Sequence, residues 1–168
     1  MDETTLTLLP PLRKCWIKRG QQKVIPTPGQ QERTYLFGAY DWHSDTLSWL
    51  VSKKQNSQAF LDFLFHLMLT CYSGERIVLV LDNASHHRSA FSQAALSLFD
   101  DRLLVVWLPP YCSSLNPIER YWKHLKEQVG INKLFATIQD LTDSIVNELN
   151  LQNSLHTFRF SKHEVPST

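Results

Sequence analysis

The sequence predicts an α/β fold in which helices pack on a mixed sheet. The first third of the chain has Thr-rich and alternating segments that are typical of an antiparallel meander. Two later runs, RIVLVLD at 76–82 and RLLVVWL at 102–108, are continuously apolar, as in parallel strands covered on both faces. The chain has 168 residues, of which 43% are hydrophobic, so it can form one domain, 1–168, with a substantial core.

Three strands make up the predicted meander. The first covers 3–9 and ends at a pair of prolines, and Asp2 lies in it or just before it. An extended excursion with a turn at Gly20 covers 14–25. The second and third strands cover 33–42 and 46–51, and a polar turn joins them.

Four helices are predicted from apolar residues that recur at spacings of three and four. The first follows Lys54, has Asn56 or Ser57 as its N-cap, and ends near 73–74. The others cover 89–100, 117 to about 129, and 137–150. An irregular tail is expected from about 152 to 168. The order of elements gives a mixed sheet with helices packed on it.

Composition narrows the classes of function. Seventeen Lys and Arg residues oppose sixteen Asp and Glu residues, so a surface that binds nucleic acid has to be local. The three cysteines, Cys15, Cys71 and Cys112, lack metal-ligand spacing and are expected to be reduced thiols. The most apolar segment, 59–69, is too short to span a bilayer, and no signal peptide opens the chain. A soluble cytoplasmic protein is expected.

Two carboxylates follow the two apolar strands. Asp82 ends the first of these strands, and Glu119 follows the second after a loop, with 36 residues between them. Because the carboxyl ends of parallel strands meet at one edge of a sheet, both acids should lie there. With a third carboxylate, such acids can hold a pair of Mg²⁺ ions for phosphoryl transfer.

Each acid also has an ordinary structural interpretation, which the local pattern leaves open. Asp82 can form a turn or cap the next helix. Glu119 can complete a capping box in which Asn116 is the N-cap and Pro117 the first helical residue. Asp2 can be a solvated acid near a chain end.

Three segments together resemble a known family. They are the pair Asp2-Glu3 before a strand, VLDNASHHRS at 80–89, and LPPYCSSLNPIERYWKHLK at 108–126. They are similar to the catalytic core of DDE transposases of the mariner superfamily, especially its bacterial insertion-sequence branch. The resemblance implies a ribonuclease-H-like fold. In it, a three-strand antiparallel meander and two parallel strands form one mixed five-stranded sheet with helices on both faces.

The resemblance also implies an activity and a set of metal ligands. Asp2, Asp82 and Glu119 correspond to the three catalytic acids, which in the family bind two Mg²⁺ ions, with Mn²⁺ as a substitute. An activated water cuts the transposon end, and the freed 3′ hydroxyl then attacks target DNA by a second in-line displacement.

Other residues acquire candidate roles from the same resemblance and from their positions. His87 can orient the loop after Asp82, contact a DNA phosphate, or simply pack. Asn83 and Asn116 are expected to position the acids through hydrogen bonds to backbone. The predicted DNA contacts outside His87 are basic residues, namely Lys123 and Lys126 on the Glu119 face of its helix, and the run Arg13, Lys14, Lys18, Arg19 and Lys23. A core-facing stripe is expected from Ile118, Trp122, Leu125 and Val129.

Two departures from the family pattern bear on partners. The chain has Cys112-Ser113 where the family commonly has Ser-Pro, and its first acid is residue 2. We therefore expect the start of the first strand and a helix-turn-helix DNA-binding region to be missing from this sequence. The chain is then the catalytic half of a larger transposase or a non-catalytic remnant that acts as a dimerisation or inhibitory partner.

The expected partners are double-stranded DNA of transposon ends and target, a second copy of the chain, and an upstream-frame product with the DNA-binding region. A bacterial cytoplasmic location is expected, nucleoid-associated when the protein is bound to DNA. A ribonuclease-H-like nuclease unrelated to transposition is a third interpretation.

Overall fold

A computed structural model of the chain describes residues 1–8, 18–20, 31–110, 112, 115–130 and 134–155. Its strands are β1 (Asp2–Thr7), β2 (Arg33–Asp41), β3 (Thr46–Ser52), β4 (Ile77–Leu81) and β5 (Leu103–Trp107). Its helices are α1 (Ser57–His66), α2 (Ser85–Arg88), α3 (Ala90–Ser97), α4 (Pro117–Gly130) and α5 (Ile138–Leu155). A π-helical turn, Leu67–Cys71, continues α1.

The strands pair as the sequence predicts. β1 and β2 are antiparallel, with Asp2 opposite Gly38, and β2 and β3 are antiparallel, with Asp41 opposite Thr46. β4 and β5 are parallel, with Leu81 opposite Trp107. This is the predicted combination of a three-strand meander and two parallel strands.

The two groups of strands meet at the start of β1. In the described part of the chain, the strands form a three-stranded and a two-stranded sheet rather than the single five-stranded sheet that the resemblance implied. The Met1 amino group donates a hydrogen bond of 2.9 Å to the carbonyl oxygen of Val80, near the end of β4. A cleft of about 530 Å³, lined in part by 39–43 and 75–80, separates the rest of β4 from the end of β2. The contact at Val80 therefore fixes where β1 lies relative to β4.

Helices cover both faces of the meander, as predicted. Phe37 and Ala39 of β2 face a core that contains apolar residues of α1 and α3, whereas Leu36 faces a second core with α4 and α5. This alternation follows from the period of two along a strand. The predicted stripe on α4 is confirmed, because its four members are all buried, namely Ile118, Trp122, Leu125 and Val129.

A glycine lets α4 approach the sheet closely. A Cβ atom placed on Gly38 would lie 2.5 Å from Cη2 and 2.7 Å from Cζ2 of Trp122. Non-bonded carbon atoms do not approach so closely, so the Trp122 ring occupies the space that the side chain of any other residue at 38 would need. This packing sets the distance between α4 and β2, and hence the height of Glu119 above the sheet.

The first helix begins at a predicted N-cap and, with its π-helical turn, ends at Cys71 rather than near 73–74. The N-cap of α1 is Asn56, whose side chain accepts a hydrogen bond from the Ala59 amide at 3.0 Å. The helix predicted over 89–100 is α3, and the short helix α2 before it is not anticipated by apolar spacing. The turn predicted at Gly20 is confirmed by its φ of 87°. Residues 14–17 and 21–25 of the predicted excursion lie outside the described part.

The last helix is longer than predicted. α5 continues to Leu155, so an irregular tail cannot begin at 152. Polar side chains hold the added turn: Asn153 donates to the Leu47 carbonyl and accepts from the Leu47 amide, both at 2.9 Å, and Gln152 accepts from the Tyr121 hydroxyl. Residues 156–168 lie outside the described part.

In the described part, Cys71 and Cys112 are free, as predicted, whereas Cys15 lies outside it. Among the helices that the structure describes, none is long and apolar enough to cross a membrane.

Candidate active site

The three predicted acids lie at the ends of three structural elements. Asp2 is the first residue of β1, Asp82 directly follows β4, and Glu119 is the third residue of α4. The start of β1 is bound to β4 through Met1 and Val80, and the side-chain amide of Asn116 donates a hydrogen bond of 3.0 Å to the Met1 carbonyl oxygen. The beginning of α4 is thereby tied to the strand that carries Asp2.

The Asp82 carboxylate has one engaged oxygen and one that is left for a ligand. Its Oδ1 atom accepts the Ala84 amide at 3.0 Å and lies 2.8 Å from Nδ1 of His87. No described residue hydrogen-bonds to Oδ2, and the side chain is 37% exposed. The carboxylate borders a hollow of about 340 Å³, lined by Asp82, Asn83, Ala84, Leu108, Pro109, Pro110 and Cys112. The turn interpretation of Asp82 is therefore correct for Oδ1 and leaves Oδ2 available.

His87 is enclosed between two carboxylates. The imidazole is fully buried, and its Nε2 atom lies 2.8 Å from Oε1 of Glu3, whose side chain is 2% exposed. Since both ring nitrogens face acidic oxygens, a doubly protonated imidazolium satisfies the arrangement. Burial lowers the pKa of His87, but hydrogen bonds and charges of Glu3 and Asp82 outweigh it, and the net pKa is raised. The predicted DNA contact is corrected, because a buried ring with both nitrogens engaged presents nothing to a phosphate.

Glu3 is the anionic partner of two histidines. Burial raises its pKa, but the hydrogen bond with His87 and the nearby His86 imidazole overcome this and lower the pKa to about 2. The second Glu3 oxygen, Oε2, lies 3.2 Å from Nε2 of His86. Glu3 is thus an ionised, buried carboxylate whose oxygens both face imidazoles.

Asp2 experiences the crowding that a bound cation would relieve. Burial raises its pKa to about 6; the negative charges of Glu3 and Asp82 add to this, and a hydrogen bond from the Glu3 amide opposes it. Carboxylates that repel one another in a partly buried region form a donor set of hard oxygens, which suits Mg²⁺ or Mn²⁺. Asp2 and Asp82 thus offer oxygen donors of this kind. In the described part, the three side chains whose ligand atoms lie within 4.8 Å of one another are instead Glu3, His86 and His87.

The hydrogen bonds of Asn116 differ from those of a capping box. Its side-chain amide binds Met1, and its carbonyl oxygen accepts the Glu119 amide at 3.1 Å. The Glu119 side chain is half-buried and has no hydrogen bond to any described residue. Glu119 is therefore not held by a reciprocal bond to its cap within the described chain, and its carboxylate remains available.

The chain matches a known protein family over most of its length. Residues 1–142 match the family described as DDE superfamily endonuclease. The chain belongs to this family. The predicted resemblance to DDE transposases of the mariner superfamily and its insertion-sequence branch is confirmed.

Relatives of this DDE endonuclease chain are longer than it is. An uncharacterized 39 kDa protein of insertion element IS630 from Shigella sonnei is 30% identical over 144 residues, which are 86% of this chain and 42% of the relative. Two solved Mos1 structures are similar in fold: the paired-end complex with left transposon end, with TM-score 0.73 and 14% identity, and the mariner paired end complex with Mg, with TM-score 0.70 and 15% identity. Each match covers 94% of this chain and 49% of the Mos1 chain. The chain thus spans less than half the length of these relatives, and the ribonuclease-H-like fold class is confirmed.

Two asparagines of the DDE endonuclease chain bind backbone near the acids, as predicted. Asn116 binds Met1, and the side-chain amide of Asn83 donates to the Leu108 carbonyl oxygen just after β5. The Asn83 side-chain oxygen accepts from Arg88, whose guanidinium lies 3.6 Å from the centre of the Trp107 ring. These contacts join the loop after β4 to the end of β5.

The basic candidates lie in different environments. Lys126 is half-buried, and burial lowers its pKa while the charge of Asp2 acts in the opposite direction, so the ammonium is near that acid. Lys123 is exposed on the same helix. Lys18 and Arg19 are exposed in a turn, and no described contact joins them to the acids. Arg13, Lys14 and Lys23 lie outside the described part.

Glu3 contacts two histidines beside Asp82, and the sequence pattern did not predict a role for it. The available signal was its place in the Asp2-Glu3 pair, because neighbouring residues of a strand face opposite sides. If Asp2 faces the metal-binding side, Glu3 faces the helices that pack on the other side. An acid at such an inward position requires a partner, and His87 and His86 supply it.

Proposed function

We propose that this chain is the catalytic domain of a DNA transposase that uses divalent metal ions to cleave transposon-end DNA and to transfer the freed strand to target DNA. One observation carries the proposal. Asp2 and Asp82 interact through their charges beside the joined ends of β1 and β4, and Asn116 ties the helix of Glu119 to the same point. Membership of the DDE endonuclease family supports nuclease chemistry for this arrangement.

Asp2, Asp82 and Glu119 are the proposed metal ligands, for two Mg²⁺ ions or for Mn²⁺ in their place. Bound divalent ions would activate the attacking oxygen and stabilise the leaving oxygen of an in-line displacement at phosphorus. The chain itself supplies the orientation. Asp82 keeps Oδ1 on the Ala84 amide and His87, and so directs Oδ2 outwards.

Two lysines of α4 are proposed to hold the scissile backbone. Lys123 and Lys126 follow Glu119 by one and two helical turns, so they lie on its side of the helix. Lys126 is near Asp2, and Lys123 is exposed to a bound strand. Positive charges in these places would bind phosphates without selecting a base sequence.

The proposed partners are transposon-end and target duplexes, a second copy of the chain, and a polypeptide that carries an end-binding region. The Mos1 paired-end complex with left transposon end, which shares the fold, supports DNA as a partner. The match to only 42% of the insertion-element relative supports a further region elsewhere in the whole protein. We place the activity in the bacterial cytoplasm, on the nucleoid when the protein is bound to DNA.

A cleavage assay tests this function. The chain, supplied with an end-binding domain, should nick transposon-end DNA in Mg²⁺ or Mn²⁺ and not in EDTA. Asp82→Asn and Glu119→Gln should abolish cleavage. Asp101→Asn is the matched control, because this exposed residue precedes β5 at the opposite edge of the parallel strands from Asp82. Cleavage that survives either active-site substitution would refute the proposal.

The alternative of a non-catalytic remnant is less well supported. The acids at 2, 82 and 119 are all present, and the contacts around Asp82 leave one of its oxygens available. A remnant should give no cleavage under any metal condition, so the same assay separates the two functions.

A further inference from the structure

Glu3 and His87 form a buried chain of contacts that ends on Asp82. We propose that these two residues position the Asp82 carboxylate for metal binding, with His87 acting on Asp82 and Glu3 acting through His87. The inference rests on the proposed metal-dependent function. It assigns Glu3 and His87 a role in orienting a ligand rather than in contacting substrate or metal.

The contacts run from Glu3 through His87 to the Asp82 carboxylate. His87 places Nδ1 2.8 Å from Oδ1 of Asp82 and Nε2 2.8 Å from Oε1 of Glu3. The Ala84 amide donates to the same Asp82 oxygen at 3.0 Å. Two donors on one oxygen fix the rotation of the carboxylate, and the other oxygen is left to bind a cation.

The His87 ring is itself held in place. It is fully buried, and its centre lies 4.8 Å from that of the Phe60 ring. The His87 carbonyl oxygen accepts a hydrogen bond of 2.9 Å from the Gln93 side chain, which anchors the backbone beneath the ring. Because neighbouring groups hold the ring in place, the position of Glu3 constrains the position of the Asp82 carboxylate.

The burial of Glu3 is costly unless its oxygens are satisfied. Its side chain is 2% exposed, and a buried carboxylate needs hydrogen bonds or opposite charge to offset its loss of water. His87 and His86 face its two oxygens at 2.8 Å and 3.2 Å. Structural stabilisation alone would explain this cluster, so the test needs a measurement that stability does not control.

The affinity for Mn²⁺ is that measurement. Groups that orient a metal ligand typically change metal affinity by about 10- to 100-fold when they are removed. His87→Phe keeps a ring beside Phe60 and removes both hydrogen bonds, so the dissociation constant for Mn²⁺ should rise by about this factor. His87→Asn retains a short donor that can reach Asp82 and should restore part of the affinity. Glu3→Gln should weaken binding less than His87→Phe, because a neutral amide can still accept from His87.

The experiment titrates Mn²⁺ into the 168-residue chain and follows free Mn²⁺ by electron paramagnetic resonance, well below each variant's unfolding temperature. Asp101→Asn is the folded control and should bind as the wild type does. Wild-type affinity in both Glu3→Gln and folded His87→Phe would overturn the proposal. If His87→Phe does not fold, the test uses Glu3→Gln and His87→Asn. Wild-type affinity for Mn²⁺ in both variants would then overturn the proposal. If the wild-type chain binds no Mn²⁺, the proposed metal-dependent function fails, and this inference fails with it.

Discussion

Asn116 donates a hydrogen bond of 3.0 Å to the carbonyl oxygen of Met1, across 115 positions of the sequence. The bond is buried and joins the start of α4 to the residue before Asp2. It therefore relates the position of Glu119 to that of the first acid.

Replacement of Asn116 should loosen this connection. Asn116→Ala leaves the Met1 carbonyl oxygen buried and unpaired, so the free energy of unfolding should fall by about 1 to 3 kcal/mol. Urea denaturation measures this fall. The affinity for Mn²⁺ should also decrease, because Glu119 and Asp2 lose their common anchor. Asn150→Ala, at an exposed position of α5, is the control, and equal stability of the two variants would contradict the account.

Gly38 should not accept a larger residue. The new methyl group of Gly38→Ala would fall 2.5 Å from Cη2 of Trp122, and such overpacking typically costs about 1 to 3 kcal/mol. Thermal and urea unfolding measure the loss. Trp122→Phe removes the ring atoms concerned, so the double variant should lose less stability than the sum of the single losses. Simple additivity of the two losses would contradict the proposed close approach.

The metal-free chain should become less stable as pH rises through the titration of Asp2. Its folded pKa is about 6 against an ordinary value of 3.8, so between these values the native state holds more protons than the unfolded state. The free energy of unfolding therefore falls with rising pH in this window, by up to about 3 kcal/mol for this group.

Asp2→Asn tests this dependence. In EDTA the variant should match the wild type near pH 4 and be more stable above pH 6, as measured by urea denaturation over a pH series. Saturating Mg²⁺ should reverse the order, because only the wild-type carboxylate gains from the cation. An identical pH dependence in both proteins would contradict the crowding of carboxylates around Asp2.

Sequence reasoning could predict much of this fold and part of the site. Continuous apolar runs predicted β4 and β5, and the rule that parallel strands end at one edge placed Asp82 correctly. It could not predict that Glu3 meets His87, because that contact spans 84 positions and depends on how β1 packs against α2. The same limit applies to Asn116, whose local pattern indicated a cap while its side chain binds Met1. The end of α5 was also missed, since polar contacts of Gln152 and Asn153 extend it beyond its apolar pattern.

Lys123 should contribute to DNA affinity only by binding backbone phosphates. Lys123→Gln should weaken binding of end and unrelated duplexes alike, and should reduce the slope of log affinity against log salt by about 1. Fluorescence anisotropy over a salt series measures both quantities. Lys53→Gln, exposed after β3, is the control, and an unchanged slope in Lys123→Gln would contradict the assignment.

The number of Mn²⁺ ions bound per chain decides whether Asp2, Asp82 and Glu119 form a two-metal site. Electron paramagnetic resonance should find two ions on the wild type, and fewer or weaker ions after each of the substitutions Asp2→Asn, Asp82→Asn and Glu119→Gln. Binding by all three variants with the stoichiometry and affinity of the wild type would show that these acids do not form the metal site.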